Sequence, residues 1–361
     1  MGNAATRLVA GLRRRGRLRG RRTGAWISGG PMMLRTISQL GWMGMAAALT
    51  VSASGCSRHR TPNLAARADA LTADALVIAA GDIADCDYKK GEYAQSTADL
   101  AKQYPGATVL ALGDIAYPNG TRTQLAECYD ERWGALKKRT RPAPGNHDYG
   151  LRKARDNADP YFEYFGASAG PPGKGYYSFD LGAWHIVSLN SMAGAEDVEA
   201  STPSMDEQAR WLERDLSRTH APCILAFWHH PLFSSGHHGH KPDDPGRAVG
   251  PLWEALEAHG ADVILNGHDH DYERFAPQTI DGVVDRAHGI RQFIVGTGGA
   301  ELRAFKDKHI LPNSEVRIDD EHGVLLLELH SGSYEWRFLT IDGTTGDASN
   351  GPVACHPKAD D

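Results

Sequence analysis

The stretch Val109-Leu110-Ala111-Leu112-Gly113-Asp114-Ile115-Ala116-Tyr117 joins an apolar run to a glycine, a carboxylate and, three residues later, a tyrosine. The apolar run predicts a buried strand that ends at Gly113. In open α/β sheets ligands bind where strands end and loops begin, so Asp114 and Tyr117 could hold one metal ion there. Taken alone, Gly-Asp after a strand is more often a turn or a helix cap. A site is therefore predicted only if similar strand ends recur along the chain.

Four other strand-like segments of the chain also end in potential metal ligands. They end in Gly81-Asp82, Gly145-Asn146-His147-Asp148, Trp228-His229-His230-Pro231 and Gly267-His268-Asp269-His270. Mixed oxygen and imidazole donors suit a pair of borderline-to-hard ions such as Fe, Mn or Zn. Two neighbouring cations repel each other, and a bridging carboxylate offsets that repulsion and fixes their spacing. Together the strand ends predict a two-metal site suited to phosphoryl displacement.

The order of the predicted elements favours an α/β fold. Strands alternate with helices in the first part of the chain, and strand pairs follow, which is typical of α/β layers around a mixed sheet. Helices are predicted over 93–103, 125–138, 205–218 and 251–260, and the aromatic-rich segment 161–166 is expected to pack under a loop. The sequence shows no repeat period, so one domain is predicted over 74–345, with a C-terminal tail over 346–361.

The first 56 residues are typical of an export signal rather than of a fold. The first 35 carry nine arginines and no acid, and the uncharged segment 37–53 follows. The segment Ala53-Ser54-Gly55-Cys56 resembles the lipobox of bacterial lipoproteins, although leucine is usual at the position of Ala53. A lipidated Cys56 would attach the protein to a membrane in the bacterial cell envelope. Free secretion and a retained membrane anchor are the alternatives, and residues 57–73 are predicted to be a polar tether.

Charge excludes one class of partner. The arginines of the first 35 residues mask an acidic remainder, since the formal net charge of the whole chain is already −6. No basic footprint follows, so no nucleic-acid partner is expected.

In this order the five blocks resemble those of the calcineurin-like metallophosphoesterases. Tyr117 makes the second block similar to that of the purple acid phosphatase branch, and the resemblance covers nearly the whole chain after Leu76. It implies a layered α/β/β/α sandwich of two mixed sheets flanked by helices. The chain departs from that branch at Ala84 and Asp85, where a glycine is usual at the fourth position of the first block. It also has no room for the N-terminal sandwich domain of the large plant-type enzymes.

The resemblance implies a metal-binding role for each ligand by its position. The first ion would be bound by Asp82, Tyr117 and His270. The second ion would be bound by Asn146, His229 and His268, and Asp114 would bridge the two ions. A phenolate on the first ion implies Fe(III), paired with Fe, Zn or Mn. His147 would lie in the outer shell near the phosphate or leaving group. The side chain of His230 is expected to point away.

Further polar residues near the blocks are candidates for supporting roles. On the glycine-rich loop after the fourth block, His237 and His238 are the stronger candidates, ahead of His240, to touch phosphate or donate a proton to the leaving oxygen. The alternative is a solvent-exposed histidine-rich loop. Asp269 and Asp148 are expected to orient ligands rather than bind metal. The segment 296–299 lacks the spacing of a dinucleotide loop, so it is predicted to be a tight turn beside the site.

The implied activity is hydrolysis of phosphate monoesters of small molecules by attack of a metal-bound hydroxide. The same site could instead act on phosphodiesters or nucleotides, because loops set the specificity. The alternative of a different class is a non-catalytic metal-binding envelope lipoprotein.

Besides Cys56, four cysteines remain, which allow two disulfides in three connectivities. Cys86 and Cys128 both follow ligand blocks of neighbouring strands, which favours that pair and leaves Cys223 with Cys355. Buried free thiols are the alternative.

Overall fold

The computed structural model describes residues 75–150, 157–193, 195, 203–239 and 245–357. The predicted export signal with Cys56, the predicted tether and His240 lie outside these residues. Among the described residues, no helix is both long enough and apolar enough to cross a membrane.

Fourteen strands of the described residues, β1 to β14 in chain order, form two sheets. They are Ala75–Ala80, Thr108–Leu112, Thr140–Ala143, Tyr177–Leu181, Trp184–Ser188, Cys223–Phe227, Val263–Asn266, Tyr272–Phe275, Arg291–Val295, Ser314–Ile318, Gly323–Leu329, Ser333–Thr340, Thr345–Ala348 and Val353–Ala354. The first sheet has the order β13-β12-β11-β1-β2-β3, with β14 on β12, and the second has the order β10-β8-β9-β7-β6-β5-β4.

Each sheet contains a parallel core. In the first, β1, β2 and β3 are parallel neighbours, and in the second β5, β6, β7 and β9 are. The carboxyl ends of parallel neighbours meet at one edge, so the residues that follow these strands gather there. The antiparallel β12 and β13 extend the first sheet past residue 345. Residues 346–348 and 353–354, expected in a C-terminal tail, therefore pair with β12 in the sheet.

In the described part of the chain, four longer helices flank the sheets: α1 Glu92–Lys102, α2 Asp159–Phe165, α3 Met205–Leu216 and α4 Gly250–Ala258. The helix predicted over 125–138 is present but irregular, because it consists of a π-helical turn, one α-helical turn and a 3₁₀ segment. The segment 161–166, expected to pack under a loop, lies in α2 up to Phe165, and Tyr161 and Phe165 are part of a core cluster. The first turn of α2 contains Pro160, a residue suited to that position.

Three apolar clusters define the layers. Alternate residues of β1 show the division: Val77 and Ala79 pack between the two sheets, whereas Ile78 and Ala80 pack under α1 and α2. The third cluster joins the other face of the second sheet to α3 and α4. The predicted α/β/β/α sandwich of two mixed sheets is thus confirmed.

Two disulfides connect distant parts of the chain. Cys86 is bonded to Cys128 and Cys223 to Cys355, so the favoured connectivity is confirmed. The first joins the loop after β1 to the irregular helix. The second joins the start of β6 to the segment after β14.

A buried histidine links the hairpin of β4 and β5 to α3. His185 is 7% exposed, and its two ring nitrogens lie 2.8 Å from Asp180 Oδ1 and 2.9 Å from Asp215 Oδ2. Burial lowers the pKa of His185, but the hydrogen bonds and charges of Asp215 and Asp180 outweigh it and raise that pKa above its ordinary value. Arg218 and His220 line the cavity beside this contact.

We therefore expect His185 to stabilise the fold mainly at acidic pH. Because its folded pKa is raised, its contribution is complete below the unfolded pKa of about 6.5 and is lost as the pH rises through the folded value. In urea unfolding, His185→Gln should cost about 1 kcal/mol more free energy at pH 5.5 than at pH 9. His288→Gln, on an exposed turn, is the control. An equal cost of His185→Gln at both pH values would contradict this interpretation.

Candidate metal centre

The loops after the parallel strands bring the predicted ligands together at one edge of the two sheets. The ligand atoms of Asp82, Asp114 and His229 lie within 4.8 Å of one another, although they follow three different strands. These three residues are almost fully buried, since Asp82 and His229 are 0% and Asp114 is 1% exposed. A cluster of two carboxylates and an imidazole away from solvent is costly unless a cation or protons compensate the charge.

Unusual backbone conformations hold these residues. Asp82, Asp114 and His268 have φ angles of 57°, 50° and 72°, a region that costs a non-glycine residue of order 1–3 kcal/mol. Glycine next to a ligand permits the close approach of another ligand, because a Cβ at Gly145 would clash with Asp114 Oδ1. The strand ends are therefore shaped for ligand positions rather than for regular turns.

Asp114 lies in the middle of the cluster. Its Oδ2 is 3.2 Å from His229 Nε2 and accepts a hydrogen bond of 3.0 Å from the Tyr117 hydroxyl. The Tyr117 hydroxyl also lies 2.7 Å from Asp82 Oδ1 and 3.1 Å from His270 Nε2. One group of side chains therefore surrounds Tyr117, and Asp114 joins it to His229.

Backbone carbonyls orient two of the histidines. His229 Nδ1 donates to Leu112 O at 2.8 Å, and His270 Nδ1 donates to Glu301 O at 2.7 Å. The Nε2 atom of each ring consequently faces the cluster, which is the usual arrangement of a metal-ligating histidine.

Two buried polar atoms indicate that the residues fit metal ions. His229 Nε2 and Asn146 Oδ1 are buried and make no hydrogen bond within the described residues, although Asp114 Oδ2 lies 3.2 Å from His229 Nε2. Such atoms are rare in proteins and each calls for an explanation. Carboxylate, amide, phenol and imidazole donors that converge on one space form a suitable set for two first-row metal ions.

The electrostatics of the cluster also favour cations. Burial raises the pKa of Asp114, but His229 and His147 outweigh it and hold that pKa well below its ordinary range. Burial lowers the pKa of His229, whereas Asp114 raises it to about 10. Burial, Asp114 and Asp82 raise the pKa of Tyr117 well above 10.0. Ionisation of the Tyr117 phenol thus requires a bound cation, which reverses this effect.

Two of the predicted outer-shell histidines lie next to the cluster. His147 donates its backbone N–H to Asp114 Oδ1 at 2.8 Å, and its Nε2 is 3.9 Å from Asp114 Oδ2. The His238 ring centroid is 4.3 Å from that of His268. The ring centroid of His237 lies 5.0 Å from that of His238.

The expectation that His230 points away from the site is wrong. Its ring centroid is 4.2 Å from that of His268, and its Nδ1 is 2.8 Å from the Ser191 hydroxyl. Strand β6 ends at Phe227, so the alternation of side chains between the two faces of a strand no longer applies at residues 229 and 230. His229, His230 and His268 form a second group that could hold a metal ion.

Acidic residues beside the ligands stabilise the loops that carry them. Asp148 accepts hydrogen bonds from the backbone of Ile115 and Gly145, and burial and Asp114 raise its pKa to about 7. Asp269 accepts from the His238 backbone N–H at 2.7 Å and from the Ser234 hydroxyl. Both carboxylates therefore bond backbone N–H groups of neighbouring loops, and Asp269 also bonds a side-chain hydroxyl.

The sequence analysis missed two residues at this edge. Ser191, which bonds His230, follows strand β5, and the polar pair Asn190-Ser191 after an apolar run was the available signal. Arg303 Nη1 lies 2.5 Å from His238 Nε2. Its only signal was a cation shortly after a glycine-rich turn at a strand end. That turn, over 296–299, does lie beside the site, since a Cβ at Gly296 would be 2.9 Å from Asp82 Oδ2.

Comparison with known proteins assigns the chain to one protein family. The calcineurin-like phosphoesterase family model matches residues 58–272, more than half of the chain. Purple acid phosphatase 15 of Arabidopsis thaliana is 29% identical over 196 residues, which cover 46% of this chain and 35% of that protein. An acid phosphatase of Aspergillus ficuum is 26% identical over 242 residues, with 52% and 39% covered. The chain thus spans less than half the length of these relatives.

A solved structure shares the fold. The purple acid phosphatase PPD1 from yellow lupin (Lupinus luteus) seeds superimposes with a TM-score of 0.63 at 19% identity, over 76% of this chain and 53% of that one.

Proposed function

Because the chain belongs to the calcineurin-like phosphoesterase family, we propose that it is a two-metal hydrolase of phosphate monoesters. The observation that carries the proposal is the position of Asp114, whose Oδ2 lies between His229 Nε2 at 3.2 Å and the Tyr117 hydroxyl at 3.0 Å. A carboxylate placed in this way can bridge two cations. Its relatives named as acid phosphatases support the choice of a phosphate ester as substrate.

We assign the ligands in two groups joined by Asp114. The first ion takes the residues around the Tyr117 hydroxyl, which are Asp82, Tyr117 and His270. The second ion takes the residues around His229 Nε2, which are Asn146, His229 and His268. His230, which reaches His268 but is held by Ser191, is not needed in either group. Fe(III) at the first position, with Fe, Zn or Mn at the second, suits a phenolate ligand.

The protein's own contribution is to fix charges and donors around a phosphoryl group. When bound, the two cations would supply Lewis acidity that activates water and offsets charge on the phosphoryl oxygens. Asp114 is kept ionised by its neighbours, and the His147 backbone N–H fixes its second oxygen. Burial of the cluster excludes bulk water, so these fixed groups act more strongly than they would in solution.

Histidines at the rim would handle the substrate. His147 Nδ1 lies 2.6 Å from Pro118 O, which leaves Nε2 directed to the site. We assign His147 to contact the phosphoryl oxygens or to donate a proton to the leaving oxygen. His238, whose Nε2 faces the Arg303 guanidinium, is assigned to contact the phosphoryl oxygens. His237 is assigned a supporting role, because its ring contacts that of His238.

We also propose that the protein is exported. Its two disulfides suit an oxidising compartment. Attachment through a lipidated Cys56 is part of this proposal, and mass spectrometry of the mature N-terminus is its test.

The test of the two-metal assignment is the metal content of the protein. Protein purified without added metal should carry about two metal ions per chain, iron among them, and show a purple or pink absorption band that arises from Tyr117 on Fe(III). Tyr117→Phe should lose the band and about 10- to 100-fold in activity on an aryl phosphate. Elemental analysis, the visible spectrum and initial rates check the three parts, and Tyr88→Phe on the neighbouring loop is the control.

Two metal ions without iron or colour would overturn the Fe(III) assignment and leave Tyr117 as a hydrogen-bonding neighbour. Absence of metal, with no uptake on soaking in Fe, Mn or Zn, would contradict the two-metal hydrolase and favour a different binding function.

A further inference from the structure

Arg303 lies across the rim of the metal centre. Its backbone N–H donates to His270 O at 3.0 Å, and its Nη1 is 2.5 Å from His238 Nε2. The His238 ring in turn packs 4.3 Å from the ring of His268. His270 and His268 are assigned above to different metal ions, so the Arg303 side chain runs along the rim from one ion's ligand towards the other's.

The charge of Arg303 has no carboxylate partner among the described residues. Other arginines of the second sheet do have one: Arg274 bonds Asp347 at 2.7 Å, and Arg291 bonds Glu315 at 2.9 Å. The neighbour of Arg303 is an imidazole instead. A guanidinium is a cation at ordinary pH, so this rim holds a positive charge that no acid among the residues the structure describes neutralises.

The remaining donors of Arg303 can bind an anion. A guanidinium carries five N–H groups in a planar fork that matches the oxygens of a phosphate. One nitrogen contacts His238 and the side chain is half-buried. Within the described part of the chain, its other guanidinium N–H groups make no hydrogen bond. A phosphoryl group held at the metal centre would present its unesterified oxygens to such a fork.

We propose that Arg303 is a specificity-determining residue that binds an unesterified oxygen of the substrate phosphate and favours monoesters over diesters. This inference rests on the proposed function. A monoester dianion offers Arg303 a charged oxygen, whereas a diester has one fewer such oxygen and one fewer negative charge. Loss of the guanidinium should therefore cost the monoester more than the diester.

The test compares two substrates with the full, metal-loaded chain. Arg303→Ala should lower kcat/KM for an aryl phosphate monoester by about 10- to 100-fold and for a bis(aryl) phosphate diester by less than about threefold. Inhibition by inorganic phosphate should weaken by a factor similar to the monoester loss. Arg303→Lys should restore part of the difference, since it keeps the charge without the fork. Lys306→Ala removes an exposed cation from the same loop and is the matched control.

The outcomes separate this inference from the proposed function. An equal loss on both substrates, or unchanged inhibition by phosphate, would overturn the specificity role, because Arg303 would then act only by positioning His238. If the wild-type protein hydrolyses neither ester, the proposed function fails. Calorimetric titration with inorganic phosphate then decides the role of Arg303: weaker binding by Arg303→Ala supports it, and equal binding overturns it.

Discussion

Asp114→Asn is expected to lower kcat on an aryl phosphate at least about 10³-fold, the largest effect on activity that we anticipate for one substitution. The amide keeps the shape of the side chain and can still accept the His147 N–H, which is 2.8 Å from Oδ1. It lacks the negative charge that two neighbouring cations require, and its nitrogen is a poor ligand. The loss should therefore appear in metal binding and catalysis rather than in folding.

The measurement is metal content per chain together with kcat, on protein whose thermal unfolding resembles that of the wild type. Metal content should fall from about two ions to one or fewer. Asp87→Asn makes the same acid-to-amide change at an exposed position of the loop after β1 and should retain both metals and full activity. Full activity with two metals in Asp114→Asn would show that Asp114 does not bridge the ions.

Much of the candidate centre could be predicted because its ligands depend on a local rule. Each ligand block follows a short strand or apolar run directly, as Asp82 follows β1 and His268 follows β7. Parallel strands then bring these ends to one edge without any need to know the loops. The structure accordingly brings Asp82, Asp114 and His229 into one cluster, and their roles as ligands stay a prediction.

The features that were missed depend on contacts between distant loops. His230 faces the centre because the chain has left β6 and because Ser191, from another loop, holds its ring. Arg303 reaches His238 from 65 positions along the chain. Neither contact leaves a periodic pattern in the sequence. The irregularity of the helix predicted over 125–138 was not foreseen, because apolar spacing does not distinguish a π-helical turn from an α-helical one.

The C-terminal end was expected to be a tail, and a disulfide explains how its two short strands are held. Strands β13 and β14 are short and partly exposed, with little apolar surface of their own. Cys355 is bonded to Cys223, 132 positions earlier, and the neighbouring His356 N–H donates to Asp262 Oδ1 at 2.6 Å. A cross-link over so long a loop removes much entropy from the unfolded chain.

Removal of this bridge should separate stability from activity. The double change Cys223→Ala with Cys355→Ala is expected to lower the free energy of unfolding by about 3 to 5 kcal/mol, the largest effect on stability that we anticipate. Cys223 begins β6, whereas His229 follows the opposite end of that strand. Metal content and kcat at a temperature where the variant stays folded should therefore match those of the wild type.

The other bridge provides the matched comparison. Cys86 lies four residues after Asp82, and its bond to Cys128 holds the loop that follows this ligand. Loss of both Cys86 and Cys128 should lower stability by a similar amount, since its loop of 42 residues differs only logarithmically in entropy, and should lower kcat as well. Urea unfolding gives the free energy of unfolding of each double variant, and initial rates give its kcat. Loss of activity in the folded Cys223 and Cys355 variant would show that the metal centre depends on that bridge. Full activity of the Cys86 and Cys128 variant would show that the centre does not depend on the loop after Asp82.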